Sequence, residues 1–185
     1  MKILIIQHKM IGDVLITSLL CENIKKAFPT STVDYLINTN TLPVLENNPY
    51  IDHKIIFDEK ENKGLLKLIQ FSKKVNQNKY DIVIDAYSKI QSWVDVYINN
   101  APQKISYKKV GRTFLYTDNV EKHTEPHSYL GLAIEHRLAL LNPIGIKKPL
   151  ATEPKLYLKE EEISAAKELF KHHNVDSSRK TVMIS

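Results

Sequence analysis

The chain has 185 residues, of which 43% are hydrophobic and 25% are charged, with only 5 Gly and 8 Pro. This composition is typical of a globular protein and excludes a disordered or collagen-like chain. The formal net charge of +5 favours anionic partners such as phosphorylated sugars or lipid head groups, but the scattered basic residues form no block that indicates nucleic-acid binding.

Two features bear on the cellular compartment. Cys21 is the single cysteine and has no partner for an internal disulfide, so nothing in the sequence indicates an oxidising compartment. The leading apolar run, residues 3–6, is too short for a secretory leader or a membrane span. We therefore expect a cytoplasmic protein.

The chain opens with a strand followed by a helix. Residues 2–7 are apolar without alternation and rich in Ile, which predicts a strand buried on both faces of a parallel sheet. Residues 13–28 carry apolar side chains at helical spacing, with lysines in the last turn and Pro29 directly after it.

The same alternation continues along the chain. Further strands are predicted over residues 32–38, 53–58, 80–86, 103–107, 113–117 and 180–185, the 113–117 strand lying near an edge. Further helices are predicted over residues 41–47, 64–79, 88–99, 127–142 and 159–173. Strands that alternate with helices at this spacing predict an α/β fold, a Rossmann-like, doubly wound and mostly parallel sheet.

The pattern also predicts a division of the chain. Pro143 and Gly145 end the helix that closes the first domain, residues 1–145. Residues 146–158 contain two prolines and no helical period, which is typical of an extended linker. Residues 159–185 would then supply a helix and the first strand of a second, incomplete α/β domain.

Common cofactor and metal motifs do not fit. The five glycines match neither the dinucleotide-binding pattern G-x-G-x-x-G nor the P-loop pattern. His123 and His127 are four residues apart, but Pro126 disrupts a helix there and no third ligand lies nearby. The sequence therefore predicts no metal site.

The turn between the first strand and the first helix carries the main candidate. In an open α/β sheet, ligands bind beyond the carboxyl ends of the strands. Gly12 would let a ligand approach the backbone closely, and the N-terminus of the helix would favour the charged form of Asp13. Position alone leaves two interpretations open, a cap of the helix or a functional carboxylate that accepts a proton.

Three segments resemble a known family. Residues 2–29, "KILIIQHKMIGDVLITSLLCENIKKAFP", are similar to the N-terminal motif of the ADP-heptose:lipopolysaccharide heptosyltransferases, inverting glycosyltransferases of family 9 with two-domain GT-B architecture. "YDIVIDAYSKIQSWV" (80–94) resembles the family's strand ending in Asp, and "HSYLGLAIEHRLALLNPIGI" (127–146) resembles its late helix with an Arg, a Leu-Leu pair and a terminal Gly. The order and spacing of the three segments agree with the N-terminal, acceptor-side half.

The chain departs from the family's pattern at several positions near the ends of the strands. They are Gln7, where a basic residue is frequent, Ser18, where proline is frequent, Tyr87 and Ser88, in place of Gln or His with Gly, and Ser106, in place of Gly. These departures bear on the identity of the acceptor more than on the fold.

The resemblance implies a function and a catalytic residue. It implies transfer of a sugar, heptose in the family, from a nucleotide sugar to a lipopolysaccharide-type acceptor, with Asp13 as general base. In an inverting transfer one carboxylate takes the proton of the attacking acceptor hydroxyl. The implied donor is ADP-heptose, which is a substrate, and no cofactor or metal is implied.

Further residues at this edge are candidates for substrate binding. His8 and Lys9 share the turn with Gly12 and Asp13, and either a bound anionic acceptor or a surface loop explains them. Asp85 and Lys89 would lie at the mouth of the 80–86 strand, where Asp85 could instead cap the next helix. Arg137 is predicted to form a surface ion pair beside Glu135 and His136.

Three functions remain open at this point. The first is a glycosyltransferase half that acts on a glycolipid or sugar acceptor, takes its nucleotide sugar through a second domain and contacts the anionic inner membrane peripherally. The second is a non-catalytic sugar- or partner-binding module of the same fold. The third is an unrelated flavodoxin-like nucleotide-binding domain.

Overall fold

The computed structural model describes residues 1–175, 179 and 182. Within them the chain forms one parallel sheet flanked by helices. The strands are β1 (Lys2–Ile6), β2 (Thr32–Asn38), β3 (His53–Phe57), β4 (Ile82–Asp85), β5 (Gln103–Tyr107) and β6 (Asp118–Val120). The helices are α1 (Ile11–Ala27), α2 (Leu65–Asn76), α3 (Ile90–Ile98), α4 (Leu132–Ala139) and α5 (Glu160–His172).

The strand order is β3-β2-β1-β4-β5-β6, and every neighbouring pair is parallel. This confirms the predicted doubly wound α/β fold. The order reverses between β1 and β4, and an open α/β sheet has its ligand crevice at such a reversal, beyond the carboxyl ends of the strands.

The core explains why β1 lacks alternation. Ile3 and Ile5 pack in the cluster that contains residues of α1 and α4, whereas Leu4 and Ile6 pack on the other face with residues of α2 and α3. All four side chains are fully buried, as expected for a central strand covered by helices on both faces.

Three segments differ from the prediction. The strand predicted over 113–117 is wrong, because Thr113–Leu115 form one turn of 3-10 helix and the edge strand is β6, which begins at Asp118. Tyr116 turns inward and donates its hydroxyl to Asp85, while the Phe114 side chain is exposed.

The late helix is shorter than predicted. Gly131, at φ +78, precedes α4, and residues 142–144 form a separate 3-10 turn that Gly145 ends. Glu135 holds the preceding loop in place, because its carboxylate accepts hydrogen bonds from the Ser128 hydroxyl and the His127 backbone N–H. The helix predicted over 41–47 is likewise a 3-10 segment, Thr39–Leu45.

The segment 146–158 contains no helix or strand, and part of it is attached to α1. The Asn23 side-chain oxygen accepts hydrogen bonds from the backbone N–H groups of Leu150 (2.7 Å) and Ala151 (3.0 Å). The strand predicted over 180–185 lies outside the described residues. Among the helices that are described, none has the length and apolar character that a membrane span requires.

Candidate functional site

A crevice of about 380 Å³ lies at the carboxyl ends of β1, β4 and β5, where the strand order reverses. It is lined by Gln7, Lys9, Met10, Asp13, Ala86, Tyr87, Lys89, Tyr107, Lys109, Lys122 and Arg137. Five of these side chains are cationic and one, Asp13, is a carboxylate. The crevice is therefore suited to an anionic ligand.

Asp13 lies in the first turn of α1, which begins at Ile11, two residues before the predicted start. No side-chain hydrogen bond caps this helix, so the cap interpretation of Asp13 is wrong. The Asp13 side chain is 44% exposed, and its Oδ1 accepts a hydrogen bond from Arg137 Nη2 at 3.0 Å. Asp13 is thus a solvent-accessible carboxylate whose orientation is fixed from one side.

Arg137 makes contacts that its sequence neighbours do not suggest. Its guanidinium donates through Nε to Thr17 Oγ1 at 2.8 Å and through Nη1 to the Tyr107 hydroxyl at 2.7 Å. Nη2 reaches Asp13 and, at 3.4 Å, the Gln7 side-chain oxygen. The side chain is 12% exposed. The predicted surface ion pair beside Glu135 and His136 is therefore wrong, since Arg137 joins α4 to α1, β1 and β5.

Two further cations of the crevice, Lys109 and Lys122, contact neutral groups. Lys109 Nζ donates to the Ser88 carbonyl at 3.0 Å, and Lys122 Nζ lies 3.9 Å from the centre of the Tyr107 ring. Burial, followed by the repulsion of neighbouring cations, lowers the pKa of both lysines. A bound anion would oppose both effects.

Two predicted binding residues lie beneath the crevice. His8 is fully buried, its ring 5.0 Å from Phe57 and 5.2 Å from Tyr87, and its Nε2 lies 3.3 Å from an Asp95 carboxylate oxygen. Asp85 is also fully buried. Neither side chain lines the crevice.

The carboxylate of Asp85 organises the turn between β4 and α3. It accepts hydrogen bonds from the Ser88 backbone N–H (2.7 Å), the Ser92 hydroxyl (2.8 Å) and the Tyr116 hydroxyl (2.7 Å). Burial raises the pKa of Asp85, although these three donors act in the opposite direction. The competing interpretation, in which Asp85 holds the start of the next helix, fits this geometry.

Lys9 and Lys89 line the crevice, and Gly12 lines a neighbouring pocket together with Lys9 and Met10. Lys9 forms an ion pair with Glu59 on the loop after β3, and the hydrogen bond that Lys9 donates to that carboxylate raises the pKa of Lys9. Lys89 precedes α3 and lines the same crevice as Asp13. A methyl group added at Gly12 would meet nothing within 4 Å, so the backbone there is open to an approaching ligand.

Both turns that flank the crevice contain a non-glycine residue in the left-handed region. Met10, between β1 and α1, has φ 65°, and Ser88, between β4 and α3, has φ 49°. Such conformations cost free energy and cluster at ligand sites.

The sequence-based reasoning missed Tyr107, Lys109 and Lys122 as crevice residues. Tyr107 ends β5 and Lys109 follows it, so the position beyond a predicted strand was an available signal. Lys122 lies two residues after β6, the strand that the sequence misplaced.

The histidines of the 123–136 region form no metal site. The rings of His123 and His127 stack with centroids 4.1 Å apart, and His123 Nε2 is 2.7 Å from Glu135 Oε2. Within residues 1–175, 179 and 182, no three potential ligand residues lie close enough to hold a metal ion.

Comparison with known proteins gives relatives of one kind. The chain is 28% identical over 138 residues to lipopolysaccharide heptosyltransferase 3 of Escherichia coli, a match that includes 73% of this chain and 40% of the relative. The chain thus spans about 40% of the length of the curated relatives that it matches. No family model matches the sequence.

Solved structures share the fold. A family 9 glycosyl transferase from Veillonella parvula DSM 2008 superposes with a TM-score of 0.78 at 22% identity, covering 96% of this chain and 51% of that protein. The E. coli heptosyltransferase WaaC with ADP-2-deoxy-2-fluoro heptose gives a TM-score of 0.67 at 18% identity, covering 84% and 51%. The sequence match confirms the resemblance to heptosyltransferases, and the structural match confirms the GT-B-type Rossmann-like fold.

Proposed function

We propose that this chain is the acceptor-binding half of a heptosyltransferase-like inverting glycosyltransferase, with Asp13 as the general base. The observation that carries the proposal is the exposed Asp13 carboxylate at the mouth of a cationic crevice, at the reversal point of the sheet. The relatives named above act as heptosyltransferases, and the proposal extends that activity to this chain.

The proposed chemistry needs one carboxylate on this side of the reaction centre. The acceptor hydroxyl attacks the anomeric carbon of the donor sugar from the face opposite the nucleotide, and Asp13 takes its proton. The base need not be strong, since the hydroxyl becomes acidic only as its new bond forms. The negative charge of the carboxylate also stabilises the oxocarbenium-like centre.

The charge of the crevice supports an anionic acceptor. Lys89, Lys109, Lys122 and Arg137 would neutralise phosphate or carboxylate groups of a glycolipid core, and Asp13 would face its hydroxyl. We propose ADP-heptose as the donor, bound by a second domain, because a structural neighbour was solved with a fluorinated ADP-heptose. A glycolipid acceptor would also place this half beside the anionic inner membrane.

The first test is a transfer assay. The chain is mixed with the donor-binding half of an E. coli heptosyltransferase, ADP-heptose and a lipopolysaccharide-core acceptor, and product formation is followed by mass spectrometry. Replacing Asp13 with Asn should lower the transfer rate about 10²- to 10⁴-fold, the usual range for loss of a general base. Asp118→Asn, on the edge strand outside the crevice, is the matched control and should retain the rate.

Titration separates the other two functions. Isothermal calorimetry of the chain alone with ADP-heptose should show little binding, because the donor site belongs to the second domain. Tight binding would favour a nucleotide-binding domain of flavodoxin type. Retention of transfer by Asp13→Asn would remove Asp13 from the mechanism, whereas a wild-type chain that supports no transfer would favour a non-catalytic binding module.

A further inference from the structure

The contact between Arg137 and Asp13 has an unusual form. Only one carboxylate oxygen, Oδ1, meets the guanidinium, and the same Nη2 group is also directed at Gln7. A bidentate pair would use both oxygens and bind more strongly. Asp13 is therefore held through one oxygen, and its partly exposed side chain is accessible from the crevice that it lines.

Arg137 itself is held without Asp13. The bonds from Nε to Thr17 and from Nη1 to Tyr107 are the two shortest that it makes, and both partners lie on regular elements of the core. Loss of the Asp13 contact would leave the guanidinium in place at the wall of the crevice.

Asp13 is the single carboxylate among the crevice residues, and Arg137 is among five cations there. An anion that enters is attracted by Lys89, Lys109 and Lys122. Arg137 lines the same crevice, and its guanidinium is already paired with the carboxylate of Asp13. Building on the proposed function, we propose that an anionic group of the acceptor competes with Asp13 for Arg137, so that acceptor binding releases the base.

This competition would couple binding to chemistry. In the empty crevice Asp13 is oriented and neutralised by Arg137. When a phosphate or carboxylate of the acceptor takes over the Nη2 hydrogen bond, the Asp13 carboxylate loses its donor and is released to accept the proton of the bound hydroxyl. Arg137 thus has two roles in the proposal: it holds Asp13 in the empty crevice, and it binds the anionic group of the acceptor once that group has entered.

The test uses this chain alone and needs no transfer. Binding of inorganic phosphate and of glucose 6-phosphate is measured by calorimetry at low ionic strength for the wild type and for Arg137→Gln, Arg137→Lys, Asp13→Asn and Glu61→Gln. Glu61 is an exposed acid on the loop after β3 that does not line the crevice, and it controls for a general change in charge. Circular dichroism and thermal unfolding verify the fold of each variant.

The decisive result is a gain of affinity. Asp13→Asn should tighten phosphate binding about fivefold, as expected from removal of a competing unit charge near a protein surface, and Glu61→Gln should change it less than about twofold. Arg137→Gln should weaken binding about tenfold through loss of a charge-assisted contact, and Arg137→Lys should restore part of it.

Three results would overturn the competition: no saturable phosphate binding by the wild type, unchanged affinity in Asp13→Asn, or unchanged affinity in Arg137→Gln. Different outcomes would contradict the proposed function. Unchanged phosphate affinity with loss of transfer in Asp13→Asn would keep the general base and remove the competition. Tighter phosphate binding with retained transfer in Asp13→Asn would keep the competition and remove Asp13 as the general base.

Discussion

Two aspartates at the same edge of the sheet have opposite environments. Asp13 is partly exposed and meets one donor, whereas Asp85 is fully buried and accepts three hydrogen bonds. A carboxylate that acts on a ligand must reach it, and only Asp13 lines the crevice. Accessibility supports the role proposed for Asp13, whereas the three hydrogen bonds of Asp85 organise the β4–α3 turn.

Replacing Asp85 with Ala should therefore affect stability. The change leaves the Ser88 N–H and the buried Tyr116 hydroxyl without their acceptor, whereas the Ser92 hydroxyl retains the Lys89 carbonyl. Unpaired buried groups cost about 1–3 kcal/mol each, so we expect a loss of about 2 kcal/mol or more. Urea unfolding followed by circular dichroism measures it. Ser92→Ala, which removes one of the three donors, should cost about 1 kcal/mol. An unchanged midpoint for Asp85→Ala would contradict the structural role.

At the residue scale the sequence predicts what is local. Asp13 was identifiable because it follows a strand and begins a helix. Its partner Arg137 lies 124 residues away, and only the folded chain brings α4 against α1. His8 was predicted to lie in a turn because it is polar. Its carbonyl instead accepts a hydrogen bond from the backbone N–H of Asn38, so the hydrogen bonding between the two chain segments continues beyond the end of β1.

At the element scale, Gly12 provides a test of the first turn of α1. Its backbone needs no positive φ and a methyl group there has open space, so Gly12→Ala should stabilise the protein by about 0.5–1 kcal/mol, the usual gain in a helix. If a ligand approaches this backbone closely, the same variant should bind sugar phosphate more weakly. Thermal unfolding and calorimetry give the two readouts.

The matched variant is Gly131→Ala. Gly131 has φ +78 at the start of α4, where an L side chain is strained, so this change should destabilise the protein by about 1 kcal/mol. Equal effects of the two substitutions on stability would show that the assigned backbone conformations are wrong.

Most strands of the sheet were predicted closely. The predicted bounds of β2 and β5 are exact and those of β1 and β3 agree to within one residue, whereas β4 begins two residues after its predicted start. In β1, burial on both faces demands an unbroken apolar run. The edge strand β6 was misplaced, since its residues Asp118–Val120 are only partly buried and carry no apolar run.

At the scale of the whole molecule, Asn23 connects the sheet domain to the segment that follows it. Its side chain is buried and bonds to the backbone of Leu150 and, through both its oxygen and its nitrogen, to that of Ala151. A segment with two prolines was predicted to be an extended linker, and in the structure residues 146–158 contain no helix or strand. Its attachment to α1 was not predictable, because it depends on one amide distant in sequence.

Asn23→Ala should release this segment. Two backbone N–H groups and one carbonyl lose their partner, so we expect about 2 kcal/mol of destabilisation and faster trypsin cleavage after Lys147 and Lys155. Mass spectrometry of the fragments measures the sites. Asn40→Ala, at an exposed position, is the control. Equal cleavage rates for the two variants would argue against the attachment.

The electrostatic field of the crevice leads to a pH prediction. The pKa values of Lys109 and Lys122 are lowered, so these amines lose their protons more readily in the free protein than an ordinary lysine does. A bound phosphate favours their charged forms and raises both pKa values. At pH values between the pKa of the free protein and that of the bound protein, binding must therefore take up protons. Phosphate affinity must then fall as the pH rises through that range.

Calorimetry in alkaline buffers that differ in ionisation enthalpy measures the proton uptake directly. Lys109→Gln and Lys122→Gln should each reduce the uptake as well as the affinity, whereas Lys148→Gln, outside the crevice, should change neither. Added salt should weaken binding in the wild type, because the partly exposed cations are screened over about 10 Å at 0.1 M ionic strength. Binding without proton uptake and without salt dependence would mean that the anion is held elsewhere on the molecule, away from the cations that surround Asp13.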